Sequence, residues 1–195
     1  MLSVVIPTQN CERALVRTLA MLVAGVTAGS VREVILADGG STDATAEIGD
    51  VTGCHIMISP RPLGARLKDA ADKARGPWLM FLRPGAVLDP TWAEETARFI
   101  EYAEMTGTAD SRAGVFRPLA SPAGMQPGLM ATLALVYRSL ATRPRPEHGL
   151  VIARRHYDRV GGHRERVSDP ELDLLRRLGR KNIAVLQCGV RYVED

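Results

Sequence analysis

The segment Asp38-Gly39-Gly40-Ser41-Thr42-Asp43 has the residue types to hold a small polar ligand. A carboxylate at Asp38 can accept hydrogen bonds from a heterocyclic base or a ribose. Gly39 and Gly40 let backbone come close to a ligand, and a helix start behind them favours an anion. The same residues also spell an Asx-turn, in which Asp38 serves its own loop. Arg66, on the Ala-rich stretch that follows, fits a solvated helix face. Further on, Ser168-Asp169-Pro170-Glu171 offers two carboxylates close together. The four residues also form a helix start, with Ser168 or Asp169 as N-cap, Pro170 in the first turn and Glu171 on the dipole.

The elements that must position these groups are legible in the hydrophobic pattern. Leu2–Ile6 is a continuous apolar run, as in a strand buried on both faces. Leu15, Leu19, Leu22 and Val23 then recur at helical spacing, with Glu12 at the helix entrance. Val34–Ala37 predicts a second strand, followed by a short helix to about Gly49 capped by Ser41 or Thr42. Cys54–Ile58 and Trp78–Leu82 predict further strands, with an Ala-rich helix over Ala65–Ala74 between them. Arg83-Pro84-Gly85-Ala86 reads as a turn, and a helix runs from about Trp92 to Met105. Strands separated by crossover helices imply a mainly parallel central sheet flanked by helices, an α/β single domain with a Rossmann-like half. Ligands of such sheets bind beyond the carboxyl ends of the strands, which is where Pro7-Thr8-Gln9-Asn10, Asp38-Gly39 and Arg83-Pro84-Gly85 fall. The second half is less regular. It predicts strands at Val115–Leu119, Gly149–Ala153 and Ile183–Val190, and helices at Leu129–Leu140, Arg155–Val160 and Pro170–Leu178.

Composition narrows the function classes. The 195 residues are 46% hydrophobic and 24% charged, a globular balance. The formal charge is only +3 with no Lys/Arg tract, and aromatics are 5%, so nucleic-acid binding is not expected. Cys11, Cys54 and Cys188 form no C-x-x-C pair and suggest reduced thiols in a cytoplasmic protein. No leader and no apolar run of membrane-spanning length is apparent. His148, His156 and His163 lack the cysteine partners of a structural zinc site.

Three segments together resemble family-two glycosyltransferases: Ser3-Val4-Val5-Ile6-Pro7-Thr8-Gln9-Asn10, Ala37-Asp38-Gly39-Gly40-Ser41-Thr42-Asp43-Ala44-Thr45, and Gly64-Ala65-Arg66 through Ala74-Arg75-Gly76-Pro77-Trp78-Leu79-Met80-Phe81-Leu82. The nearest likeness is to a bacterial subgroup with Asp-Gly-Gly-Ser-Thr-Asp at the second turn. The resemblance implies the GT-A fold over residues 1–195, with a nucleotide-binding half (1–105) and an acceptor-side half (106–195). It implies transfer of a sugar from a nucleotide diphosphate to an acceptor hydroxyl, the acceptor being a sugar or lipid-linked. It places Pro7, Thr8, Asp38 and Gly39 at the nucleotide, Asp38 accepting from the base, and Arg66 at the diphosphate. Pro146-Glu147-His148-Gly149-Leu150 matches a turn that brings Glu147 and His148 to donor sugar or acceptor; a lone histidine also serves as a core residue. Asp173-Leu174-Leu175-Arg176-Arg177-Leu178 matches the second half of the acceptor-side motif and puts Glu171 at the general base, with Asp169 beside it.

Two departures bear on mechanism. Relatives carry Asp-x-Asp or His-Ala-Asp after the fourth strand, and its carboxylate holds Mg²⁺ or Mn²⁺. Here the ligand position is Gly85, and the next carboxylate, Asp89, suits a helix cap. Divalent metal is therefore doubtful as a cofactor. Arg83 either supplies a fixed positive charge in place of the metal, or the chain is an inactive binding or assembly module. Gln9 stands where many relatives place an aromatic on the base. A nucleotidyltransferase would want a Gly-rich, basic loop after the first strand, which Pro7–Asn10 does not provide. Leu129–Leu140, with Arg138, Arg143 and Arg145 nearby, is open to three roles: contact with the inner membrane face, core packing, or a homodimer contact.

Overall fold

The structure is a computed structural model that describes residues 1–119 and 144–193. The helix expected over Leu129–Leu140 and its membrane or dimer role lie outside the described residues, as do Arg138 and Arg143.

In chain order the elements are β1 (Leu2–Thr8), α1 (Glu12–Thr27), β2 (Val31–Asp38), α2 (Thr45–Val51), β3 (His55–Ile58), α3 (Leu63–Lys73), β4 (Trp78–Phe81), β5 (Ala86–Leu88), α4 (Trp92–Met105) and β6 (Ala113–Pro118). After a 3₁₀ turn (Pro146–His148) come β7 (Leu150–Ala153), α5 (Arg154–Arg159), α6 (Pro170–Leu178), a second 3₁₀ turn (Arg180–Asn182) and β8 (Ile183–Tyr192).

The strands form one sheet in the order β3-β2-β1-β4-β7-β6-β8-β5. β1 lies centrally, parallel to β2 on one side and β4 on the other, which is why its apolar run is unbroken. Period-2 alternation then splits its residues between two cores. Val4 and Ile6 join Leu15, Leu22, Trp78, Met80 and Trp92 on one face. Val5 joins Leu67, Leu79, Phe81, Tyr157 and Leu174 on the other.

The mainly parallel expectation needs correction. β3, β2, β1 and β4 are parallel, but β4–β7, β6–β7 and β5–β8 are antiparallel, so the sheet is mixed. The expectation rested on crossover helices, and these follow β1, β2 and β3 only. The other half includes β5, a three-residue strand that begins at Ala86, the last residue of the expected turn, and pairs with β8 near the far end of the chain.

Small residues set the helix distances. Gly25 of α1 lies under Trp92, where a Cβ would come within 2.5 Å of the ring. Gly64 of α3 lies against Arg164, whose carbonyl oxygen would be 2.0 Å from a Cβ. The first contact sets α1 against the start of α4, and the second sets α3 against the chain ahead of α6.

Candidate active site

The loops after β1 and β2 are stitched into one unit. Asp38 is 1% exposed. Its Oδ1 accepts from Thr8 Oγ1 at 2.8 Å and Ser41 Oγ at 2.5 Å, and its Oδ2 accepts from the Gly40 and Ser41 amides at 2.8 and 2.7 Å. Burial alone would raise its pKa, but the bonds from Ser41, Thr8 and Gly40 hold it below the usual carboxylate range. The Asx-turn is thus formed, and both carboxylate oxygens are spent on the protein's own loop.

The stitching continues outward. Asn10 adopts φ +47°, donates its amide to Ser41 Oγ at 2.9 Å and accepts from the Thr42 amide at 2.8 Å. Glu12 and Asp43 exchange caps. Glu12 Oε2 accepts from the Ala44 amide at 3.0 Å, and Asp43 Oδ2 accepts from the Glu12 amide at 3.1 Å. Ser41 and Thr42 therefore do not cap α2, whose N-cap is Ala44; their hydroxyls serve the loop.

Beneath the two loops sits Arg66. It is 9% exposed, so it is not on a solvated helix face. Its Nη1 donates to the carbonyls of Ala37 and Thr8 at 2.8 and 3.1 Å, and its Nε is buried with no hydrogen-bond partner among the described residues. Desolvation lowers its pKa, against the pull of Asp38. A Cβ on Gly39 would stand 2.8 Å from this guanidinium, so the loop crosses it at backbone distance. Pro7 is half-buried where β1 ends, Thr8 is buried, and Gln9 is exposed at the rim.

The third loop, after β4, carries Arg83. Its Nε and Nη2 both donate to Glu171 Oε2, at 2.9 and 2.6 Å, and its Nη1 donates to Glu147 Oε1 at 3.2 Å. The structure therefore gathers Arg83, Glu147 and Glu171 from three distant segments, 64 and 88 residues apart in sequence. Glu171 is 8% exposed; burial raises its pKa, and the bonds and charge of Arg83 pull back only part of the way. Asp169 caps α6, accepting from the Leu172 amide at 2.9 Å, so the helix-start reading of this segment holds geometrically. Tyr192 Oη, at the end of β8, accepts from the Arg83 amide at 3.4 Å. Nothing local in the sequence signals this contact.

His148 is buried, and desolvation lowers its pKa, which suits a neutral core ring. A separate buried pair, unsignalled by any motif, backs the site. Tyr157 Oη lies 2.9 Å from His163 Nδ1 and accepts from the His163 amide at 3.0 Å. Burial pushes His163 down to about 3. Phe81, at the end of β4, stacks against Tyr157 and meets His163 edge-on.

A divalent cation of the kind the resemblance implies does not fit the residues present. Hard cations need oxygen ligands. Gly85 has φ +84°, and a Cβ there would stand 3.0 Å from the Val193 carbonyl. Its amide and carbonyl are already bonded to Ala14 and Val193. Asp89 turns away to accept from the Thr91 amide and hydroxyl at the entrance of α4. Among the described residues no group of three His, Cys, Asp or Glu is disposed to hold a metal ion.

Residues 3–155 match the family described as Glycosyl transferase family 2. The chain belongs to this family. Over 101 residues it is 36% identical to validoxylamine A glucosyltransferase of Streptomyces hygroscopicus subsp. limoneus, an alignment covering 48% of this chain and 22% of that one. Residues 1–349 of S. aureus TarS share the fold with a TM-score of 0.69 at 17% identity, over 95% of this chain and 57% of that one. The same TarS segment is known bound to UDP-GlcNAc. Glucosyl-3-phosphoglycerate synthase of Mycobacterium tuberculosis, solved with Mn²⁺, UDP and glucosyl-3-phosphoglycerate, gives a TM-score of 0.69 at 19% identity, over 100% of this chain and 72% of that one. The chain thus spans under a quarter of the curated relative and just over half of the TarS segment. As a family-2 member it keeps the GT-A arrangement of α/β layers on a mixed sheet.

Proposed function

We propose that this glycosyltransferase-family chain binds a nucleoside-diphosphate sugar along the rim formed by the ends of β1, β2 and β4 and transfers the sugar to an acceptor hydroxyl without a divalent metal. The observation that carries the reading is Arg83, a fixed cation held between Glu171 and Glu147 on the loop where family members place the metal carboxylate.

The residues divide the work. Asp38 does not touch the nucleotide in this account; it fixes the Gly39–Ser41 backbone and Thr8 so that the loops form a rigid rim. Arg66 backs that rim with a buried guanidinium whose free Nε favours negative charge nearby. On donor binding the diphosphate competes for the fork of Arg83. Glu171, released from part of that contact, takes the acceptor proton. Its burial keeps it more basic than an exposed carboxylate, as a general base requires. The acceptor oxygen bonds to the anomeric carbon, the bond from that carbon to the β-phosphate oxygen breaks, and the nucleoside diphosphate leaves with its charge offset by Arg83. Asp169, the alternative base, is committed to its cap.

The Arg83–Glu171 contact also supports a second reading, a binding module in which base and cation neutralise each other permanently. Calorimetric titration with nucleoside diphosphates and UDP-sugars, with Mn²⁺ and with chelator, tests both. The proposal expects binding that survives the chelator, and turnover that falls at least a hundredfold in Glu171→Gln. Binding only with Mn²⁺ refutes the role of Arg83, and binding with no transfer or donor hydrolysis favours the module.

A further inference from the structure

We infer that the acceptor carries a phosphate or carboxylate in addition to its reacting hydroxyl, received by Arg145 and Arg176. This rests on the acceptor-side reading above. A cavity of about 610 Å³ opens next to the candidate base, a size typical of small-molecule sites. Leu172, Leu175 and Ile183 give it an apolar wall, and Glu147, Asp169, Arg145, Arg176 and Arg180 supply its charged lining. It shares Pro146 and Leu175 with the small recess that Glu171 borders.

The charges in this cavity are unevenly committed. Glu147 is held by Arg83, and Asp169 by the Leu172 amide. Arg177, one residue from Arg176, is spent on structure: it pairs with Asp173 at 2.8 Å and bonds the Val160 and Gly162 carbonyls. Arg176, by contrast, has no carboxylate partner among the described residues, and neither has Arg145. Arg145 and Arg176 thus bring positive charge to one cavity wall without a carboxylate partner among the described residues, and a neutral acceptor would leave that charge uncompensated. An anionic acceptor compensates it and gains charge-assisted hydrogen bonds. Arg176 lies five residues beyond Glu171 on α6, so at about 3.6 residues per turn the two side chains leave the helix in different directions. The anionic group therefore stands apart from the hydroxyl at the base, as in a monosaccharide phosphate or a uronate.

The test is titration of the full chain, in the presence of UDP, with glucose, glucose 6-phosphate and glucuronate, together with vesicles of phosphatidylglycerol. At least one anionic probe should bind about tenfold or more tightly than glucose. That preference should vanish in Arg176→Glu and recover in Arg176→Lys, with UDP affinity unchanged in both. A stronger response to the vesicles than to the free sugars assigns the anion to a lipid-borne acceptor; the converse assigns it to a free one. Equal binding of all three sugars with no response to the vesicles, or a preference that survives Arg176→Glu, overturns the inference. If UDP itself fails to bind, the nucleotide-sugar reading falls, while the anion preference is still scored from the same titrations without UDP.

Discussion

Replacing Arg83 by Met keeps most of the stem and removes the guanidinium that holds Glu171. Glu171 is 8% exposed, so the carboxylate is left in the protein without its cation. Breaking a buried pair on one side costs about 3–5 kcal/mol when the surviving charge is trapped. Two features lower that figure. The Arg83 side chain is 33% exposed, so solvent reaches the vacated position. Glu171 can also take up a proton. From an ordinary value of 4.5, protonation at pH 7 costs about 3.4 kcal/mol, at about 1.36 kcal/mol per pH unit, and only about 0.7 kcal/mol at pH 5. In the variant the folded-state pKa of Glu171 lies further above its unfolded value, so stability is intact below the unfolded value and is lost as pH rises toward the folded one. Urea denaturation of the parent and Arg83→Met at pH 5, 6 and 7 reads the effect. The gap between them should be under about 1 kcal/mol at pH 5 and widen to about 2–3 kcal/mol at pH 7. In a Glu171→Gln background it should stay small throughout. A gap that is constant with pH, or that persists in that background, refutes the assignment of Arg83 as the counter-ion of Glu171.

Gly85→Asp, which restores the carboxylate of metal-using relatives, should lower stability by about 1–3 kcal/mol, because φ is +84° and the Val193 carbonyl is 3.0 Å from the new Cβ; thermal denaturation checks this, and Mn²⁺ titration should show no gain in affinity. Asp38→Asn should cost about 1–3 kcal/mol and weaken nucleoside-diphosphate binding about tenfold. Asp38 is held below the usual carboxylate range, so its contribution is lost only as pH falls through that low value, and this deficit should be flat from pH 8 to 5. The His163 ring, pushed down to about 3, should show no titration of its NMR resonances between pH 8 and 5. Since its folded pKa is depressed, stability is present above its ordinary value and falls with acid by up to about 1.36 kcal/mol per pH unit; Tyr157→Phe should cost about 1–3 kcal/mol in the same denaturation assay.

What could be read from the chain alone was local. The buried runs Leu2–Ile6 and Trp78–Leu82, the helix from Trp92 to Met105 and the helix start Asp169-Pro170 are dictated by hydrophobic period and capping chemistry, which act over a few residues. The Asx-turn at Asp38 was legible for the same reason, although whether the carboxylate served the loop or a ligand was not. Tertiary structure decided what depends on contacts between distant segments. β5 exists because β8 pairs with it, more than a hundred residues later. Arg66 is buried because α3 packs beneath the β1 and β2 loops, a placement that helical periodicity does not specify. Arg83, Glu147 and Glu171 become one cluster only when β4, the 3₁₀ turn and α6 converge. Residue identity fixes which charges the chain carries; the free energy that brings them together comes from burying Phe81, Tyr157, Leu174 and their neighbours in a shared core, and only the folded chain expresses it.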